Sequence, residues 1–429
     1  MIKSLNSKYF HTTIAIAVLT AFASCGPKEG KLTEYKGEEG IFEWQFPNLD
    51  QEKAWHHFNF DKETWWGTFP KDMVVPGRDA DEEKNLRNDG LPEGEGTRYN
   101  PVPDEVFAEH PWAIGPVTKY EYNPVLRPTP GQWDKGRFGG GVHNGSIIVE
   151  DDVFYYIYRG EMPRETEPGD VIDYICDIGI AKSKDGIHFE KDYENTPFFR
   201  KGECAKYSYE DVNLIKKDGT YYLFCNQWLW ENMDDYTQNG TFLAISKDLV
   251  HWEPKGIVFP GATRTHRNGV VLQNPHNEPV MVDGKYIMYL NYGLIAYSED
   301  LIHWESKDTE GSWPGDEGCF ALCNHDPSRP DDIILFTGGN HSGHFYAVGE
   351  VLLSKKAPEQ PLDYLPAPVL QANPHYPYEN GFTPEAPFTP ISGYSDCIFF
   401  NGLTQHDGKW WFYYGGSEYY TCLATCPVN

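Results

Sequence analysis

From residue 145 onward the chain breaks into short stretches of apolar and polar positions, each closed by a turn signal: "GSIIVEDDVFYYIYRGE", "VNLIKKDGTYYLFCNQW", "EPVMVDGKYIMYLNYG", "DDIILFTGG" and "DGKWWFYYGG". Three of them place an Asp-Gly pair (Asp218-Gly219, Asp283-Gly284, Asp407-Gly408) before an aromatic and β-branched run, a strong short-range hairpin signal. A longer phrase recurs across them, "SKDGIHFEK" from 183, "SKDLVHWEP" from 246 and "SEDLIHWES" from 298. Each copy sets a Ser-x-Asp turn before a His-aromatic-Glu strand, and the spacing fits one four-stranded unit per repeat. The pattern predicts an all-β fold, a five-bladed β-propeller over residues 126–429, with its binding site in the central funnel where the innermost strands converge. The recurring Asp185, Asp248 and Asp300 read as turn formers at outer strands rather than as catalysts.

The preceding stretch, 25–125, shows no such alternation. It is rich in Trp, Pro and acidic residues ("WHHFNFDKETWWGTFP", "GRDADEEKNLRNDGLPEGEG") and reads as an irregular N-terminal extension packed on the propeller. Residues 1–24 carry Lys3 and Lys8, then an apolar stretch too short to span a bilayer, which reads as a signal peptide. Its end, "FASC", resembles a bacterial lipobox, with Cys25 as the acylated mature N-terminus. These features predict an exported lipoprotein of the bacterial cell envelope, tied to a membrane only through that lipid.

Removing the leader lysines takes the formal charge from −28 to −30. So acidic a chain repels nucleic acid and anionic headgroups, which leaves neither as an expected partner. The eight cysteines after Cys25 form no dense framework, so buried thiols with one or two bridges are expected. No cofactor or metal is implied by the spacing of His and Cys.

Two adjacent carboxylates, Glu210 and Asp211 in "SYEDVNLI", open the second of the strand runs, and their setting resembles a known family. "YNPVLRPTPGQW", "HNGSIIVEDDVFYYIYRGE", "DIGIAKSKDGIHFE", "YEDVNLIKKDGTYYLFCN", "VGEVLLSKKAPEQPLDYLPAPVLQANPHYPYENGF" and "FYYGGSEYYTCLA" follow the order of motifs in glycoside hydrolase family 130, five-bladed propellers acting on β-mannosides mainly by phosphorolysis. The likeness covers roughly residues 120–426. It implies that Asp211 is the proton donor, acting through a sugar hydroxyl on the glycosidic oxygen. Adjacent carboxylates repel, so one can hold a proton near neutral pH, and in a regular strand only one of the pair faces the substrate.

Two departures bear on the acceptor. The family's Pro-Arg after Glu-Asp is Val212-Asn213 here, and its phosphate-holding Tyr-His-Gly is "TGG" at 337–339, while Arg159 keeps its family position and Arg267 stands near the family's later Lys. A phosphate dianion needs several converging donors. Their loss points to a hydrolase, whose second carboxylate would activate water; Glu278 and Glu317 are the candidates. His143, Asn144, Arg159, Glu210, Trp228, Asn268, His276, His341 and Glu418 are candidate sugar-binding residues, with Trp230 beside Trp228 as a second stacking ring and Glu418 in place of the family's Asp. The expected function is an inverting glycosidase cleaving a β-mannoside or related oligosaccharide from its non-reducing end. A β-mannoside phosphorylase and a non-catalytic glycan-binding propeller are the alternatives.

Overall fold

The computed structural model describes residues 33–34, 74–75, 104–120, 122–129, 131–134, 141–163, 174–309, 317–323, 326–338, 346–366, 368–372, 379 and 397–428. The leader, Cys25, His341 and most of the N-terminal extension lie outside the described residues. Within the extension, β1 (Thr33–Glu34) pairs antiparallel with β2 (Val74–Val75), and a short helix α1 (Asp104–Glu109) precedes β3 (Thr118–Lys119).

Five antiparallel sheets follow in chain order. Blade one is β4 (Val142–Glu150), β5 (Val153–Pro163), β6 (Tyr174–Ser183) and β7 (Glu190–Lys191). Blade two is β8 (Ser208–Lys217), β9 (Thr220–Trp228), β10 (Gly240–Ser246) and β11 (Trp252–Ile257). In blade three, β12 (Val270–Val271) and β13 (Met281–Val282) both pair with β14 (Lys285–Tyr289), followed by β15 (Leu294–Ser298) and β16 (Glu305–Asp308). Blade four is β17 (Glu317–Cys323), β18 (Asp332–Gly338), β19 (Gly349–Ser354) and β20 (Asp363–Tyr364). Blade five is β21 (Ile398–His406), β22 (Lys409–Gly416) and β23 (Tyr420–Pro427), and its outer strand is β3 from the N-terminal side.

The ring is held by five apolar cores, one between each pair of neighbouring blades. Ile157 and Ile178 of blade one meet Leu214 and Phe242 of blade two, Phe224 meets Met288 of blade three, and Leu272 meets Leu335 of blade four. Phe336 of blade four meets Phe400 and Phe412 of blade five, and Tyr413 with Leu423 returns to Val142 and Tyr156 of blade one, which closes the circle. Burying each such side chain contributes about 1.5–3 kcal/mol.

The repeated phrase performs the structural task expected of it. Ser246 Oγ accepts the N–H groups of Asp248 and Leu249, Asp248 Oδ1 accepts those of Val250 and His251, and Asp248 Oδ2 pairs with His251 Nδ1 at 2.8 Å. The same set recurs at Ser183–Asp185–His188 and Ser298–Asp300–His303, each time turning the third strand of a blade into its fourth. The N–H and ring of His251 hold the Asp248 carboxyl well below the usual carboxylate range. The bridges expected among the cysteines are not formed: all eight after Cys25 are free, and seven of them are buried.

The segment before β3 lies on blades four and five. Trp112, Ile114 and Val117 join their core, Trp112 Nε1–H donates to Asp363, and the Ile114 N–H donates to Glu350 Oε2 at 2.9 Å. Burial pushes the Glu350 carboxyl up to about 8 from an ordinary 4.5. A carboxyl raised in the folded state contributes stability below its unfolded value and loses it as pH rises through the folded one. Thermal stability should therefore fall between pH 4.5 and about 8, and Glu350→Gln, which keeps the acceptor for Ile114 without the charge, should flatten that fall in a series of melting curves.

Candidate active site

At the start of each inner strand the backbone departs from a regular ladder. Asn144, Asp211 and Asn268 all have left-handed φ angles, 47°, 52° and 52°, a region that Asn and Asp enter at lower cost than other side chains. The pairing shifts register at the same level: between His143 and Ser146, between Glu210 and Asn213, between Gly318 and Phe320, and between Phe400 and Gly402. Bulges of this kind re-aim side chains at the rim of a sheet. Here they turn Asn144, Asp211 and Asn268 toward one another around the funnel. Gly415 makes room for this, since a Cβ there would overlap the Asn144 amide oxygen.

Asp211 is the hub. Its Oδ1 accepts from Asn144 Nδ2 at 2.9 Å and from Arg159 Nη1 at 3.5 Å, and its Oδ2 accepts from Asn226 Nδ2 at 3.0 Å. Asn226 continues the chain of contacts, donating to Asn268 Oδ1 and accepting the Asn268 N–H at 2.8 Å. Asn268 Nδ2 in turn donates to Glu317, the first residue of β17, which also receives Arg267 Nη2. Three hydrogen bonds in series therefore join Asp211 to Glu317, which limits the two carboxylates to a separation on the order of 10 Å.

Arg159 anchors the other side. Its Nη2 lies 3.1 Å from Glu161 Oε1 and 3.7 Å from Glu210 Oε1, while its Nε–H points at Cys176 Sγ at 3.2 Å. The strand alternation expected to separate Glu210 from Asp211 is undone by the bulge, and both carboxyls reach this one guanidinium. Burial pushes the Glu210 carboxyl up, against the pull of Arg159 and with the help of Asp211. Glu418, in a left-handed turn after Ser417, is raised to about 7 by burial, although Arg159 and His143 oppose the rise. Glu418 thus brings an exchangeable proton to the site near neutral pH. Tyr346 stands near Glu317 and Arg267, and burial, then Glu317, raises its hydroxyl.

The remaining sequence candidates fall in different places. His143 is wholly buried, with Nε2 3.4 Å from Glu161, so it backs the site rather than lining its open face. Trp228 is buried beneath Trp230, whose ring stacks on it at 6.0 Å. Glu278 and His276 are exposed in the turn that splits the inner edge of blade three, where Asn274 Nδ2 donates to Glu278 at 2.8 Å. That turn sits at the far end of the ring: the Lys216 N–H donates to Asn277 O, and Lys216 is five residues down β8 from Asp211, about 17 Å along a strand. The fold therefore does not bring Glu278 or His276 to Asp211. Asn213, standing where the family has Arg, accepts the Val271 N–H at 3.1 Å and ties blade two to blade three.

Sequence reasoning missed Glu161, Cys176, Asn226 and Tyr174. Glu161 had a signal, since two residues after Arg159 in a strand is the same face. Asn226 had none, because only the register that sets it opposite Glu210 brings it to Asp211. Among the described residues no group of three His, Cys, Asp or Glu side chains is arranged to hold a metal ion.

No protein-family model matches the chain. It is 26% identical over 309 residues to a 1,2-β-oligomannan phosphorylase of Thermoanaerobacter sp. (strain X514), covering 69% of this chain and 92% of that protein. It is 24% identical over 335 residues to a β-1,2-mannobiose phosphorylase of the same organism, covering 72% and 96%. Among solved structures it superposes with a TM-score of 0.59, at 22% identity and over 76% of this chain and 96% of the other, on one reported for glycoside hydrolase family 130, mannoside phosphorylases that include hydrolases targeting β-1,2 mannosidic linkages in Candida mannan. That superposition shows a shared fold.

Proposed function

We propose, from its standing as a divergent member of glycoside hydrolase family 130, that this mannoside-active enzyme hydrolyses a β-mannoside, with β-1,2-linked oligomannosides as the first substrates to try. Asp211 serves as the acid: it passes a proton to a sugar hydroxyl, which gives its own to the glycosidic oxygen. Glu317 accepts a proton from water as that water attacks the anomeric carbon from the opposite side, so the released sugar has inverted configuration. The limit of about 10 Å between the two carboxylates accommodates the roughly 6.5–9.5 Å that an inverting pair requires.

One observation carries the choice of water over phosphate. Both guanidiniums of the site are already matched, Arg159 by Glu161, Glu210 and Asp211, and Arg267 by Glu317. A phosphate dianion would have to displace Glu161 and Asp211 or Glu317 from the guanidiniums it needs. The leader ending in Cys25 supports, on sequence alone, an enzyme of the cell envelope. The test is to incubate the protein with β-1,2-mannobiose in phosphate-free and in phosphate buffer. Free mannose at equal rates is expected, whereas sugar 1-phosphate formed at a rate that tracks phosphate would overturn the hydrolytic reading.

A further inference from the structure

Above the carboxylates, on the same end of the ring, three aromatic rings gather near the rim: Trp228 at the end of β9, Trp230 in the loop from β9 to β10, and Tyr174 at the start of β6. Trp228 closes β9 opposite Ser208 in β8, three residues before Asp211, which is about 10 Å along the strand. Trp230 follows in a single 3₁₀ turn, Trp230–Asn232, lies over Trp228 with ring planes within 15° of parallel, and is only partly buried. Tyr174, at the start of β6, meets its edge at 6.5 Å and extends toward Glu210, Arg159 and Glu161. The loop is pinned rather than loose: Asn239 accepts the Leu229 N–H at 2.5 Å and donates to Asn232 O at 2.7 Å.

The Trp230 indole N–H, shielded from water, finds no acceptor among the described residues. A flat indole, braced from behind and partly exposed, suits the C–H face of a pyranose.

We propose that Trp230, braced by Trp228 and edged by Tyr174, is the stacking platform for the sugar on the leaving-group side, and that it selects oligosaccharides over substrates with a single small leaving group. This rests on the assignment of the funnel floor to the sugar whose bond is cleaved. An enzyme that removes the non-reducing terminal unit holds that unit on the floor, so the rest of the glycan rises past Asp211 to the rim where Trp230 stands. The sequence alone pointed to Trp228 and Trp230 together as stacking residues. The packing leaves that task to Trp230, since Trp228 is only 6% exposed.

The experiment uses the full-length protein carrying Asp211→Asn, so that bound substrate survives, and titrates β-1,2-mannotetraose by calorimetry with and without Trp230→Ala. Affinity should fall about tenfold or more when the ring is removed, equivalent to about 1.4 kcal/mol, and Trp230→Phe should recover most of it. In otherwise wild-type enzyme, Trp230→Ala should lower kcat/KM for the tetrasaccharide about tenfold or more and lower it clearly less for β-mannosyl fluoride, whose leaving group is too small to reach the ring. Equal tetrasaccharide affinity with and without Trp230, no binding by either protein, or equal losses on both substrates would each overturn the platform. A wild-type enzyme that binds through Trp230 but cleaves nothing would overturn the hydrolase reading alone.

Discussion

Asp211→Asn is expected to lower turnover of a β-mannoside by 10²- to 10⁴-fold, about 3–5 kcal/mol of transition-state stabilisation, while leaving glycan affinity within a few fold. The reason is geometric as well as chemical. Asp211 sits at φ 52°, where Asn is as comfortable as Asp and Ala would be strained, so the backbone keeps its bulge. The Asn oxygen can still accept from Asn144 or Asn226, and what is lost is the transferable proton. Rates measured at saturating substrate, beside calorimetric affinities, separate the two effects. A variant with near-wild-type kcat would remove Asp211 from the chemistry.

Glu317→Gln should cost a comparable 10²- to 10⁴-fold in kcat, while Glu278→Gln should leave it unchanged. Glu317 stands three hydrogen bonds from Asp211 and accepts from both Arg267 and Asn268. Glu278 is hydrogen-bonded to Asn274 in an exposed turn at the far end of the ring. Because a Gln amide turns a donor toward Arg267, the melting temperature of Glu317→Gln must be recorded with its activity, to separate lost chemistry from a loosened loop. Equal activity in the two variants, or loss in Glu278→Gln alone, would contradict the assignment of the base.

The blades were legible because their signals are local. Asp-Gly turns, alternating strands and the Ser-x-Asp-x-x-His phrase each act over fewer than ten residues, and the phrase forms its predicted turn in three blades. The strand that completes blade five was not legible, because β3 joins β23 from more than three hundred residues away and is only two residues long. In the candidate site, Asp211, Glu317, Arg159, Asn144 and Asn268 were found through ordered motifs or strand-start positions, and they cluster because every inner strand begins at the same end of the ring. Glu278 was misleading for a specific reason. It follows an Asn-x-x-Asn turn that interrupts the inner edge of blade three, and no alternation pattern reveals to which end of the ring that interruption belongs. Asn226 and Cys176 reach the site only through register, which the sequence does not display.

The central claim is that Asp211 and Glu317 work as an inverting pair with water as the acceptor. Proton NMR of the first minutes of β-1,2-mannobiose cleavage, recorded in phosphate buffer, tests it most directly, because product anomer and acceptor appear in one spectrum. The account predicts α-mannose as the first product from the non-reducing unit, with no phosphorylated sugar. An α-mannose 1-phosphate signal, or β-mannose as the first product, would contradict it.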